Sequence, residues 1–197
     1  MTGVQTCALP ISEKCLRNKK QDEFVIGYFS GSPTHTKDFK MVEPAIIRFL
    51  DAHRDARLKL VGMMELSTAV RERKGQVERI GLLDYLEQMK SMAETTVNIA
   101  PLTVNDFTNS KSELKYFEAA VVETVTVASP TYAFLQAIED GENGFLAEPD
   151  EWYEKMEYLY NNSKKRQEVA KVARMDVLKK YYGKEFLKRV EEAYEKF

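Results

Sequence analysis

Two polar stretches carry the side chains whose types and spacing suit chemistry. The first reads Ser30-Gly-Ser-Pro-Thr-His-Thr-Lys-Asp38. Ser32, Thr34 and Thr36 bring hydroxyl donors, His35 an imidazole and Lys37 an ammonium. Gly31 allows a sharp backbone turn and close approach of a ligand. Small donors and one cation ahead of a helix suit an anion such as a diphosphate. The stretch is neither a Walker sequence nor a G-x-G-x-x-G. It also reads as a solvated loop whose Ser and Thr cap the next helix.

The second stretch reads Asn105-Asp-Phe-Thr-Asn-Ser-Lys-Ser-Glu113. Ser110 and Glu113 have capping-box spacing, which predicts a helix starting there. Leu114, Phe117 and Val121 then fall on one face and are expected in the core. Lys111, Lys115 and Glu118 share another stripe. A helix amino terminus with Lys111 and Ser112 beside it favours a phosphate. Glu118, further along, can accept hydrogen bonds from two ribose hydroxyls. The competing reading is a surface Lys115–Glu118 pair worth a few tenths of a kcal/mol.

The elements that position these stretches follow from periodicity. Phe24 to Phe29 is a short apolar, β-branched run ending in a turn, which predicts a buried strand. Phe39, Val42, Ile46, Phe49, Leu50 and His53 recur at helical spacing. With Pro44 early in that run, a regular helix is expected from Val42. His53 lies on the apolar side and reads as a packed histidine. Further strands are expected at 58–62, 77–82, 96–100 and 124–128, with helices between them and a short last strand at Phe145-Leu146. Glu151 onward reads as charged helix with Trp152 packed on the sheet edge. Continuous apolar strands separated by helices predict an α/β fold: a doubly wound, Rossmann-like parallel sheet with a helical tail. Ligands of such sheets bind beyond the carboxyl ends of the strands, where both polar stretches fall.

Composition narrows the rest. A formal net charge of -2 carries no polyanion-binding signature, so no nucleic-acid partner is expected. The two cysteines, Cys7 and Cys15, build neither a disulfide framework nor a zinc site. No apolar run approaches the roughly 20 residues that span a bilayer. A cytoplasmic setting is expected, with membrane contact at most peripheral through Lys164, Lys165, Arg166, Lys171 and Arg174. Residues 1–11 resemble a translated sequencing adapter and are set aside as a scar. Residues 12–22 read as a linker, 23–182 as the binding domain and 183–197 as a final helix.

Three stretches together resemble one family. Ile26-Gly-Tyr-Phe-Ser-Gly31 with Thr34-His-Thr-Lys-Asp-Phe39 looks like the opening of the carboxyl-terminal domain of family 4 retaining glycosyltransferases. Lys111-Ser-Glu-Leu-Lys-Tyr-Phe-Glu-Ala119 resembles its donor-binding helix. Val127-Ala-Ser-Pro130 with Asp140-Gly-Glu-Asn-Gly-Phe-Leu146 resembles the stretch that follows. The resemblance implies one half of a two-domain B-type fold, binding a nucleotide sugar and needing no metal or other cofactor. It implies that the acceptor, a glycan or lipid-linked glycan, sits on an amino-terminal domain that this chain lacks, so that the chain alone transfers nothing. It places Lys37 against the donor diphosphate as the catalytic cation and Glu118 on the ribose. Gly31, Ser32, His35, Lys111 and Ser112 complete the expected binding set. The chain departs from the family at three points. Ser30, Gly31 and Ser32 stand where an arginine is usual, Ser110 stands in place of the first of two paired glutamates, and Glu123-Thr-Val125 replaces a glycine–proline turn. The departures keep a non-catalytic interaction module in play, and the fold itself leaves an epimerase-like enzyme as a further alternative.

Overall fold

The computed structural model describes residues 23–31, 35–182, 186–188 and 191–192. The expected scar and linker, Ser32, and Val190 and Tyr194 of the expected final helix lie outside the described residues. Six parallel strands stand in the order β3-β2-β1-β4-β5-β6. They are β1 (Val25–Ser30), β2 (Arg57–Gly62), β3 (Val77–Ile80), β4 (Val97–Ala100), β5 (Val125–Ala128) and β6 (Phe145–Leu146). The helices between and after them are α1 (Thr36–Ala52), α2 (Thr68–Arg71), α3 (Tyr85–Ala93), α4 (Asp106–Asn109), α5 (Leu114–Val121), α6 (Tyr132–Ala137), α7 (Trp152–Asn161) and α8 (Ser163–Tyr181). The doubly wound α/β expectation is met.

Alternation along the strands divides the core into two layers. Ile26 and Tyr28 of β1 pack with Phe39, Ile46 and Phe49 of α1 and with Trp152 and Met156 of α7. Phe29 and Val61 face the other way, against Met89 and Met92 of α3, Tyr116 and Ala119 of α5 and Phe134 of α6. In the first layer His53 is the packed histidine that the periodicity predicts. Its ring lies 4.5 Å from Phe49 and 4.0 Å from Tyr160, and its Nε2 is 2.7 Å from Glu157 Oε2.

The order reverses between β1 and β4, and there the ladder is short. β1 pairs with β2 from Val25–Arg57 through Ser30–Gly62, but with β4 only at Ile26–Val97 and Gly27–Asn98. Beyond Gly27 the two strands feed helices on opposite faces, and at such a switch point the binding crevice is expected between their carboxyl ends.

Local chemistry moves several boundaries. α1 starts at Thr36, six positions before the expected Val42, and Pro44 lies inside it. An interior proline removes a helical hydrogen bond at a cost of about 3 kcal/mol. The early turns hold because Phe39 and Val42 are fully buried and the Thr36 hydroxyl accepts the Glu65 amide at 3.2 Å. The capping box forms at Asn105 and Thr108, starting α4, and not at Ser110 and Glu113. Ser110 ends α4 and donates its hydroxyl to the Asp106 carbonyl at 2.9 Å. α5 therefore begins at Leu114, which is 54% exposed and not in the core, because Tyr116, Ala119 and Ala120 face the sheet.

Among the described residues Gly62, Gly141 and Glu123 take a positive φ. Gly62 has φ +101, and a Cβ there would sit 1.7 Å from the Ser30 carbonyl oxygen. Gly31 bends the chain at the end of β1 without a left-handed φ, and its Cβ would meet open space. Glu123 takes φ 53 after α5. The Glu123 amide donates to Ala120 O and the Thr124 amide to Ala119 O, a Schellman cap at a place where glycine is usual.

Candidate functional site

The crevice between β1 and β4 is lined from both sides by charged groups. Asp38, in the first turn of α1, faces the His35 Nδ1 at 3.2 Å through one oxygen. Its other oxygen accepts the Thr103 amide at 3.2 Å, from the segment after β4. One carboxylate thus ties the segments that follow β1 and β4. Burial pushes that carboxyl up, but the hydrogen bonds from His35 and Thr103, with the charges of His35 and Lys111, hold it below the usual range. The Tyr28 hydroxyl donates to the His35 carbonyl at 3.0 Å and fixes the backbone there.

From the opposite face comes Lys115, near the start of α5. Its stem is partly exposed, but its ammonium is out of water and has no hydrogen-bond partner among the described residues. The nitrogen lies 4.7 Å from the centre of the Tyr28 ring. Tyr28 belongs to the α1 layer and α5 to the other, so the side chain crosses the crevice. Burial pulls its pKa down to about 8, against the opposing pull of Asp38 and Glu118 and helped by Lys111. The expected surface pair with Glu118 does not form.

Glu118 points a different way along α5. It is 7% exposed, and the Gln88 side-chain amide of α3 donates to it at 3.3 Å. Burial raises its pKa to about 7, although Lys115 and the Gln88 hydrogen bond favour the charged form. Tyr85, also of α3, is raised by burial and by the Glu118 charge. Lys111 lies 5.0 Å from the Phe107 ring centre, ahead of the α5 amino terminus whose first amides have no intrahelical acceptor. The arrangement offers positive charge and free amides at the crevice and a carboxyl acceptor one turn along, over the α3 side.

Lys37 is exposed in the first turn of α1, Gly31 and Ser112 are exposed, and His35 is half-buried with one ring nitrogen committed to Asp38. Asp38, Thr103 and Gln88 escaped the sequence reading. Only Asp38 left a trace there, as an acid three residues after His35. Among the described residues no cluster of three His, Cys, Asp or Glu is placed to hold a metal, and no helix is long and apolar enough to cross a membrane.

Comparison with known proteins gives the frame. The family model described as "Glycosyl transferases group 1" matches residues 23–162. No curated protein matches by sequence. Among solved structures, the carboxyl-terminal domain of LpcC, a glycosyl transferase group 1 family protein from Francisella tularensis, superposes with a TM-score of 0.70 at 21% identity. That match covers 90% of this chain and 94% of the other. Anabaena Alr3699/HepE, solved with UDP-glucose, gives 0.70 at 17% identity over 95% of this chain and 52% of its own. The pneumococcal O-GlcNAc transferase GtfA, solved with UDP and GlcNAc, gives 0.71 at 15% identity over 91% and 36%. The chain therefore spans about half or less of the length of the latter two.

Proposed function

The chain belongs to the group 1 glycosyltransferases, and from that premise we propose that its domain binds a nucleotide-diphosphate sugar across the β1–β4 crevice. The sugar is transferred with retained configuration to a glycan or lipid-linked acceptor held by a second domain. The observation that carries this reading is Glu118: a buried carboxyl on the helix that opens onto the crevice, without a charged partner in hydrogen-bond range.

The parts take these roles. The ribose hydroxyls donate to Glu118, and the base lies toward Tyr85 and Gln88. The diphosphate lies toward the α5 amino terminus, with Lys37, Lys111 and the hydroxyl of Ser112 around it. As the sugar leaves, negative charge grows on the diphosphate, and these cations and amides stabilise it. Gly31 and His35 stand on the β1 side. The donor is a substrate, and no metal or other cofactor takes part in this scheme. Val104, Phe107, Leu114, Tyr132 and Leu135 leave apolar surface at the strand ends, suited to cover by the acceptor domain. Transfer needs both substrates aligned, so turnover requires the second domain as well as this one.

Calorimetric titration with UDP, GDP and ADP tests the reading. One nucleotide is expected to bind saturably, and Lys37→Ala and Glu118→Ala each to weaken it roughly 10-fold, as loss of a charged hydrogen bond does. Because ribose hydroxyls favour the charged carboxyl, binding near pH 7 should also release part of a proton. Titrations in two buffers of different ionisation enthalpy measure that release. A nucleotide that binds without proton release and ignores Glu118→Ala would sink this placement of the ribose.

A further inference from the structure

We infer that Lys115 is the second cation of the diphosphate site, standing in for the arginine that the segment after β1 lacks. The inference rests on the donor-binding reading above. Its observations are independent of Lys37. A lysine on a helix surface ordinarily keeps its ammonium in water. Here the stem leaves α5 on one face of the sheet, and the nitrogen ends at the ring of Tyr28, which packs in the layer on the other. Between those layers the β1–β4 ladder has already stopped, at Gly27–Asn98. A buried ammonium with no acceptor destabilises a fold, and the face of a tyrosine ring offsets only part of that. No acceptor for it is built into the described part of the crevice. Asp38, whose charge acts on Lys115, already receives His35 and Thr103.

The ligand that fits is therefore an anion with several acceptor oxygens entering from the strand ends. The ammonium turns from Tyr28 to meet it. Lys111, ahead of the same helix, depresses the charged form of Lys115, and an incoming phosphate relieves that repulsion. Glu118 sits one turn further on. A nucleoside diphosphate lying along α5 then places its ribose on Glu118 and its phosphates between Lys111 and Lys115.

The test compares Lys115→Met and Lys115→Gln with the unaltered chain, titrating UDP and UMP (or the matching pair for whichever base binds). Thermal unfolding is recorded alongside. Replacing a buried unpaired charge by an apolar chain of similar length should leave the melting temperature equal or raise it. Affinity for the diphosphate should drop roughly 10–100-fold, and the preference for diphosphate over monophosphate should shrink with it. Unchanged diphosphate affinity in a folded variant would overturn the inference and leave Lys115 a packing residue. If Glu118→Ala still weakens binding in that case, the donor-site reading survives. Absence of any nucleotide binding by the folded, unaltered chain would remove both.

Discussion

His53, at the carboxyl cap of α1, and Glu118, within α5, are both ionisable side chains packed inward, and the molecule treats them in opposite ways. His53 is stacked between Phe49 and Tyr160 and is hydrogen-bonded to Glu157. Tyr160 in turn donates to Asp55 at 2.8 Å. That corner is closed: its polar groups find partners within the chain, and they join α1 to α7. Around α5 the groups are as deeply placed but left open, with Lys115 unpartnered and Glu118 held by a single long hydrogen bond. Burial with partners strengthens a fold, whereas burial without them strains it. The contrast separates a structural cluster from a site better than residue type does.

The contrast breaks most visibly at Phe49. Phe49→Ala empties a fully buried position and should lower stability by about 3–5 kcal/mol. Denaturant unfolding measures it, and the fraction that remains folded should keep its nucleotide affinity. A parallel loss of affinity would mean that the two regions are not separate.

Glu118→Gln should act in the other direction. Its pKa rises from 4.5 to about 7 on folding, so between those values the folded chain holds a proton that the unfolded chain has released. Stability from this group is thus complete below about pH 4.5 and falls as pH rises toward 7. The amide carries no charge and escapes that fall, gaining up to about 3 kcal/mol at pH 8 and little at pH 4.5. Unfolding midpoints at the two pH values check the slope. A loss of stability at pH 8 would show that Glu118 is a structural group after all.

The smallest change sharpens the comparison at the far end of α5. Glu123→Gly relieves a left-handed backbone that costs a residue with a side chain about 1–2 kcal/mol, part of which the freer unfolded glycine takes back. A net gain of about 0.5–1 kcal/mol is expected by thermal unfolding, with nucleotide affinity unchanged.

The strand runs and most helices were legible because apolar period and turn residues report local structure. Phe24 to Phe29 and Thr124 to Ala128 could hardly be anything but buried strands. The start of α1 was not legible. Pro44 argues locally for a late start, while the contacts that support Thr36 come from Glu65 on another segment. The same limit applies to the site. Helical spacing placed Lys115 and Glu118 on one stripe, and from one helix such a stripe looks like a solvated pair. What lies opposite is decided by Tyr28 and Gln88, from β1 and α3, and no local pattern carries that. The stretch resembling the donor helix pointed to Glu118, and the packing gave it a reason.

The position of β1 has a consequence for how the chain is made. It is the central strand of the sheet, yet it precedes all the others described. The hydroxyl of Thr96 that receives the Val25 amide lies 71 positions later. At roughly 5–20 residues per second, synthesis leaves that edge waiting for several seconds after β2 has covered the other. During that interval Val25 to Ser30, apolar and uncharged, is an open template for a neighbouring nascent chain. The strand that organises the finished sheet is thus also its point of greatest exposure to misassembly, and closing it depends on how soon β4 arrives.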